Sequence, residues 1–183
     1  VWDRELYVEN LLDNEIARVA AAANENQING TFDWVYEEEL SLRDGFRWSP
    51  DSRHLAFWQI DTTGVSKFTM INNTDGFYPR TIQFAYPKTG QRNSKCRIGI
   101  VPATGGPIRW APIPGDNRDH YLARMDWIPN SNDLNSTDLN STDLLVQQLN
   151  RLQNTNRLFV VDGRDLTTRE VFVERDEAWV NMH

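Results

Sequence analysis

Three consecutive carboxylates, Glu37-Glu38-Glu39, stand in the run Asp33-Trp34-Val35-Tyr36-Glu37-Glu38-Glu39-Leu40. Adjacent carboxylates repel one another, and in a solvated turn they gain nothing by crowding. They make sense where a cation must be held. A primary ammonium has three donors and no acceptor, so two bracketing carboxylates satisfy both its geometry and its charge. In a partly desolvated pocket a blocked or uncharged terminus would leave those carboxylates unpaired, which makes such a site selective for a free amino terminus. Trp34 and Tyr36 are candidate walls of the pocket. Two other readings stand beside this one. Asp33 can cap a helical turn whose acidic first residues suit the helix dipole. A Ca²⁺ site is the third, although adjacent carboxylates lack the alternating spacing of a calcium loop.

Other chemistry is missing. The chain has no Gly-x-Ser-x-Gly elbow, no Walker loop, no His-Glu-x-x-His and no paired-cysteine motif, so no cofactor or metal is expected and this chain alone should hydrolyse nothing. His54 reads as a strand residue at a rim, His120 as a hydrogen-bonded loop residue, and His183 is terminal. The single cysteine, Cys96, excludes an internal disulfide and reads as a small buried residue rather than a nucleophile. A formal charge of −7 with scattered Lys and Arg provides no basic face for nucleic acid. No apolar run approaches the roughly eighteen residues of a membrane span. The chain starts and stops mid-pattern, and is expected to be a piece of a larger protein.

The elements that must hold the acidic run are mostly strands. Strand-like composition covers Glu5–Asn10, Gly45–Trp48, His54–Ile60, Lys67–Asn72, Thr81–Tyr86, Lys95–Val101, Tyr121–Trp127, Leu144–Leu149, Arg157–Asp162 and Arg169–Glu174. In the third of these, Leu55, Phe57 and Gln59 fall on one face, and Ala56, Trp58 and Ile60 on the other. Turn formers separate the runs, among them Ser49-Pro50-Asp51-Ser52 and Pro114-Gly115-Asp116-Asn117. Helical periodicity is confined to a short turn around Val35–Leu40 and a second near Asn14–Ala23.

A weak repeat sets the architecture. Arg47-Trp48-Ser49-Pro50-Asp51-Ser52 followed by Leu55-Ala56-Phe57 resembles Asp126-Trp127-Ile128-Pro129-Asn130-Ser131 followed by Leu144-Leu145-Val146. Each is a strand ending in Trp, a tight Pro turn and an apolar return strand. Such repeated modules suit an all-β partial β-propeller of two to three four-stranded blades, with a plain β-sandwich as the alternative. The long repeat spacing implies an arm-like insertion at 65–87. Asn135-Ser136-Thr137-Asp138-Leu139 recurs as Asn140-Ser141-Thr142-Asp143-Leu144, a polar loop insertion over 130–143 that cannot form a core.

The same residues resemble a known family. Asp33 to Glu39, Phe46-Arg47-Trp48-Ser49-Pro50-Asp51, Leu55-Ala56-Phe57-Trp58-Gln59, Tyr86-Pro87-Lys88-Thr89-Gly90, His120-Tyr121-Leu122, Asp126-Trp127, Leu149-Asn150-Arg151-Leu152-Gln153-Asn154 and Trp179-Val180 are similar, in order, to the N-terminal propeller of dipeptidyl peptidase IV, in the prolyl oligopeptidase family of serine peptidases. The resemblance implies an eight-bladed propeller capping an α/β-hydrolase domain, with release of N-terminal X-Pro or X-Ala dipeptides. It implies that the second and third glutamates, Glu38 and Glu39, bind the substrate α-ammonium, with Glu37 as a neighbour. The catalytic Ser, Asp and His would lie in the hydrolase domain, outside this chain. The lack of disulfides argues for a bacterial parent, since animal relatives bridge their propellers with cysteines. That parent is expected to be periplasmic or secreted to the cell envelope; cysteine usage itself says little about compartment. Partners implied are a peptide amino terminus, the hydrolase domain and a second copy joined through the 65–87 arm or the open blade edges. The isolated chain is therefore expected to self-associate, and light scattering at high concentration checks it; a strict monomer counts against it.

Overall fold

A computed structural model describes residues 1–128 and 143–182. The chain is all-β, a partial propeller of successive antiparallel sheets. β1 (Leu6–Asn10) and β2 (Glu15–Ala20) form a hairpin through a turn in which Asn14 takes φ 58°. The middle sheet follows, with β3 (Gln27–Asn29), β4 (Phe46–Trp48), β5 (His54–Asp61), β8 (Lys95–Pro102) and β9 (Arg109–Trp110). Two excursions leave it. The helix α1 (Trp34–Glu38) lies between β3 and β4, and the hairpin of β6 (Lys67–Asn72) with β7 (Arg80–Ala85) lies between β5 and β8. The last sheet is a four-stranded meander of β10 (His120–Trp127), β11 (Leu144–Asn150), β12 (Thr155–Val161) and β13 (Thr168–Arg175).

The alternation read in β5 is what lets it serve two neighbours. Ala56, Trp58 and Ile60 join Ile98 and Ile100 in a core shared with Leu122, Met125, Leu144, Val146, Leu149, Phe159 and Val161 of the last sheet. Leu55 and Phe57 point the other way and pack with Val101 against Leu6, Val19 and Ala20 of the first hairpin. A sheet buried on both faces by consecutive sheets is how a blade sits in a propeller. The repeat marks equivalent places: Trp48 ends β4 and Trp127 ends β10, each at the edge of its sheet, and Trp127 Nε1 donates to the Arg47 carbonyl at 3.0 Å. Residues 129–142, which hold the Pro129–Ser131 part of that repeat and all of the polar insert but Asp143, lie outside the described residues, as does His183.

The second helical expectation is corrected. Asn14–Ala23 is Ala-rich and favours helix locally, but Glu15–Ala20 pairs with β1 from Leu6↔Ala20 to Asn10↔Glu15. A helix there would give up that ladder and expose the Leu6–Val19–Ala20 contact, so packing overrides propensity. β3 and β9, of three and two residues, are too short to show a period.

β3 and β4 are two halves of one edge strand. β3 pairs with Gln59–Asp61 and β4 with Leu55–Phe57, on the same side of β5. Where they meet, Gly30 N donates to Trp58 O (3.0 Å), Gly45 N to Gly30 O (3.1 Å) and Trp58 N to Gly45 O (3.0 Å). Residues 31–44 thus leave and rejoin the strand through a neck of two glycines. A Cβ on Gly45 would stand 2.5 Å from the Gly30 carbonyl carbon, closer than any side chain tolerates. Gly45→Ala is expected to cost about 2–3 kcal/mol by opening this neck. A lowered thermal midpoint of the parent protein checks it, and an unchanged one refutes it.

Candidate functional site

The excursion through the neck carries the acidic run. Asp33 is the N-cap of α1, and its Oδ1 accepts from Tyr36 N at 3.2 Å. Its Oδ2 accepts from Ser94 Oγ at 2.6 Å, which ties the helix start to the segment leading into β8. Burial pushes the Asp33 carboxyl above its ordinary value, against the Ser94 hydroxyl and the backbone N–H groups that favour the charged form.

Tyr36 faces inward. It is 3% exposed, stacks on Phe32 with ring centroids 5.6 Å apart, and accepts from Leu122 N through its hydroxyl at 3.2 Å. Burial raises its phenol well above the ordinary range. Tyr36 therefore supports the helix from beneath and lines none of the clefts described below. Trp34 is half-buried and packs on Tyr86, with centroids 4.4 Å apart. It lines two clefts. One, of about 370 Å³, lies towards the hairpin with Asp33, Val65 and Phe84. The other, of about 300 Å³, is shared with Glu39, Pro87, Lys88, Tyr121 and Arg151.

The three glutamates differ. Glu37 lies in the first turn, half-buried, 4.0 Å from Arg43. Glu38 is the last helical residue and Glu39 the C-cap, and both are exposed. Among the described residues no cation lies within ion-pair distance of either. The helix-dipole reading fits Glu37 alone. Glu38 and Glu39 sit where the helix presents its free carbonyls, a place that disfavours carboxylates by roughly 0.3–1 kcal/mol each when exposed. Local stability does not explain them. Among the described residues no three of His, Cys, Asp or Glu converge to hold a metal ion.

Cys96 is buried, and burial pushes its thiol up to about 12, so it is no thiolate at neutral pH. His120 is the first residue of β10 rather than a loop residue, and its Nδ1 lies 3.1 Å from Gln148 Nε2. Gln148 Nε2 also donates to Pro114 O, so the Nδ1 contact accepts, and burial lowers the imidazole's proton affinity. His54 opens β5, with its N–H bonded to Ser49 Oγ. Sequence reasoning missed Ser94 and Arg124, which hold the acidic excursion in place. Neither carries a sequence signal, because both lie more than fifty positions from what they hold.

Across residues 1–183 the sequence matches the family described as the dipeptidyl peptidase IV (DPP IV) N-terminal region. The chain belongs to that family. It is 31% identical over 173 residues to "Prolyl endopeptidase FAP" of Mus musculus, covering 90% of this chain and 21% of that protein. It is 26% identical to "Inactive dipeptidyl peptidase 10" of Rattus norvegicus, covering 99% of this chain and 22% of that one. The crystal structure of Porphyromonas gingivalis dipeptidyl peptidase 4 superposes with a TM-score of 0.83 at 26% identity, over 98% of this chain and 24% of that one. The dipeptidyl peptidase IV N-terminal region seen here thus spans about a fifth of the curated relatives it matches.

Asp33 supplies a test of the anchoring. Asp33→Ala, which removes the cap, is expected to cost about 1–2 kcal/mol, whereas Asp33→Asn keeps an acceptor for Tyr36 N. A carboxyl raised on folding binds its proton more tightly in the folded chain. Its contribution therefore falls as pH climbs from the ordinary 3.8 through the raised value, and is flat above. Melting curves across that window should show less loss with rising pH for Asp33→Asn than for the wild type.

Proposed function

We propose that this segment selects substrates for a dipeptidyl peptidase IV-like serine exopeptidase, with Glu38 and Glu39 receiving the α-ammonium of a peptide whose N-terminal X-Pro or X-Ala dipeptide is released. The observation that carries this reading is the placing of two exposed carboxylates, without a cation among the described residues, at the helix end that electrostatics disfavours. An ammonium bound between them supplies the missing charge and donors. Glu37, already near Arg43, is left as a neighbour.

In this reading the pair works as a ruler. Holding the amino terminus at a fixed place sets the second peptide bond against a distant serine, so binding energy at one end becomes orientation at the other. The nucleophile and its partners belong to a hydrolase domain outside residues 1–183. The hairpin β6–β7 exposes Ile71, Phe77 and Tyr78, which supports a role in pairing two copies. A second reading, a non-catalytic propeller that serves as an interaction platform, is favoured by the similarity to the inactive rat relative. The parent gene separates the two: Gly-x-Ser-x-Gly followed by Asp and His supports the peptidase, and its absence supports the platform.

In the full-length parent, Glu38→Gln and Glu39→Gln are each expected to lower kcat/KM on free-amine X-Pro substrates by about 30-fold to 1,000-fold, equivalent to about 2–4 kcal/mol. Glu37→Gln should change it less than about threefold. Normal rates for both Glu38→Gln and Glu39→Gln would overturn the assignment.

A further inference from the structure

The N-terminal end and the middle of α1 are held by Asp33 and Tyr36, but the glutamate pair lies at the other end. A helix of five residues does not hold itself together in water, and its last carbonyls have no partner within the helix. No basic residue of the helix's own last turn offsets them. The neighbouring blade supplies one. Arg124, on β10, donates from Nη1 to Leu40 O at 3.0 Å and to Ala123 O at 2.7 Å. Leu40 directly follows Glu39.

The way Arg124 reaches that carbonyl is built into the strand. The register of β10 against β11 shifts between Leu122 and Arg124, a bulge that leaves Ala123 without a partner and re-aims the residue after it. Leu122, on the other side of the bulge, gives its N–H to the Tyr36 hydroxyl and its carbonyl to Trp58 Nε1, at 3.2 and 2.8 Å. Three successive residues of one strand therefore fix the excursion: Leu122 holds its middle, the Ala123 carbonyl anchors the guanidinium, and Arg124 grips its end.

We infer that Arg124 is a positioning residue for the Glu38–Glu39 pair, clamping the C-terminal end of α1 from the next blade and offsetting the negative charge gathered there. This rests on the reading in which the pair holds an ammonium. Arg124 touches no substrate in this role. It acts through the Leu40 carbonyl, so its loss should loosen recognition of the amino terminus rather than the rest of the site. A guanidinium suits the task because one nitrogen bridges two carbonyls in a fixed plane, a geometry that lysine reproduces in part and methionine not at all.

The test uses the full-length parent enzyme with alanyl-proline and N-acetyl-alanyl-proline as competing ligands. The inhibition constant of the acetylated ligand divided by that of the free amine reports recognition of the ammonium alone. Arg124→Met is expected to lower that ratio by about tenfold, with the acetylated ligand unchanged within about twofold, while Arg124→Lys retains at least about a third of the wild-type ratio. A merely structural role would weaken both ligands together and leave the ratio intact, which overturns the inference. If Arg124→Met does not fold, Arg124→Gln is read by the same ratio. Glu39→Gln separates the two layers: if it collapses the ratio and the Arg124 variants do not, Arg124 positioning is wrong and the glutamate reading stands; if none of them changes it, both fall.

Discussion

The backbone of Leu122 is the joint on which the site hangs. Its N–H meets the hydroxyl of Tyr36, and its carbonyl receives the indole N–H of Trp58. Both side chains come from the preceding blade, one from the excursion and one from the central strand. Two buried aromatic bodies thus deliver polar tips to one peptide of the next sheet, so the contact between blades is at once apolar and directional. Leaving either backbone group unmet at that depth would cost about 1–3 kcal/mol, which fixes the register of one blade on the other.

From that joint the rest follows in order. β5 buries both faces, so its blade cannot slide against either neighbour. The neck at Gly30 and Gly45 then closes residues 31–44 into an excursion whose entry and exit are set by the strand itself. Inside it, α1 is too short to be stable alone and takes its shape from three external bonds, to Ser94, Leu122 and Arg124. The result is two carboxylates offered at a helix end where a free-standing helix would not keep them. In the proposed role, a rigid support is what a pair of like charges set side by side requires.

Membership of the dipeptidyl peptidase IV N-terminal region family agrees with this construction, since the whole of residues 1–183 matches it and the Porphyromonas gingivalis enzyme shares the fold. The hairpin β6–β7 belongs to the same blade and is rooted beside the site. Phe68, Phe84 and Tyr86 cluster at its base, and Tyr86 packs on Trp34. Whatever seats the hairpin therefore bears on the wall of the cleft that Glu39 lines.

Strands with strong alternation or dense apolar content, the turns between them and the acidic run are legible in the residues alone. Those signals are local: the side chains of β5 declare their faces within eight residues, and Trp48 and Trp127 mark equivalent blade edges. The Ala-rich segment Glu15–Ala20 misled, because helix propensity is local and its pairing partner is not. The remainder came from the folded arrangement. It turned Tyr36 from a candidate wall into a buried anchor, separated Glu37 from Glu38 and Glu39 by their places on the helix, and brought Ser94 and Arg124 to its two ends. The physical reason is that a five-residue helix stores almost no stability of its own, so the orientation of its carboxylates is set by bonds to residues 61 and 84 positions away in the chain.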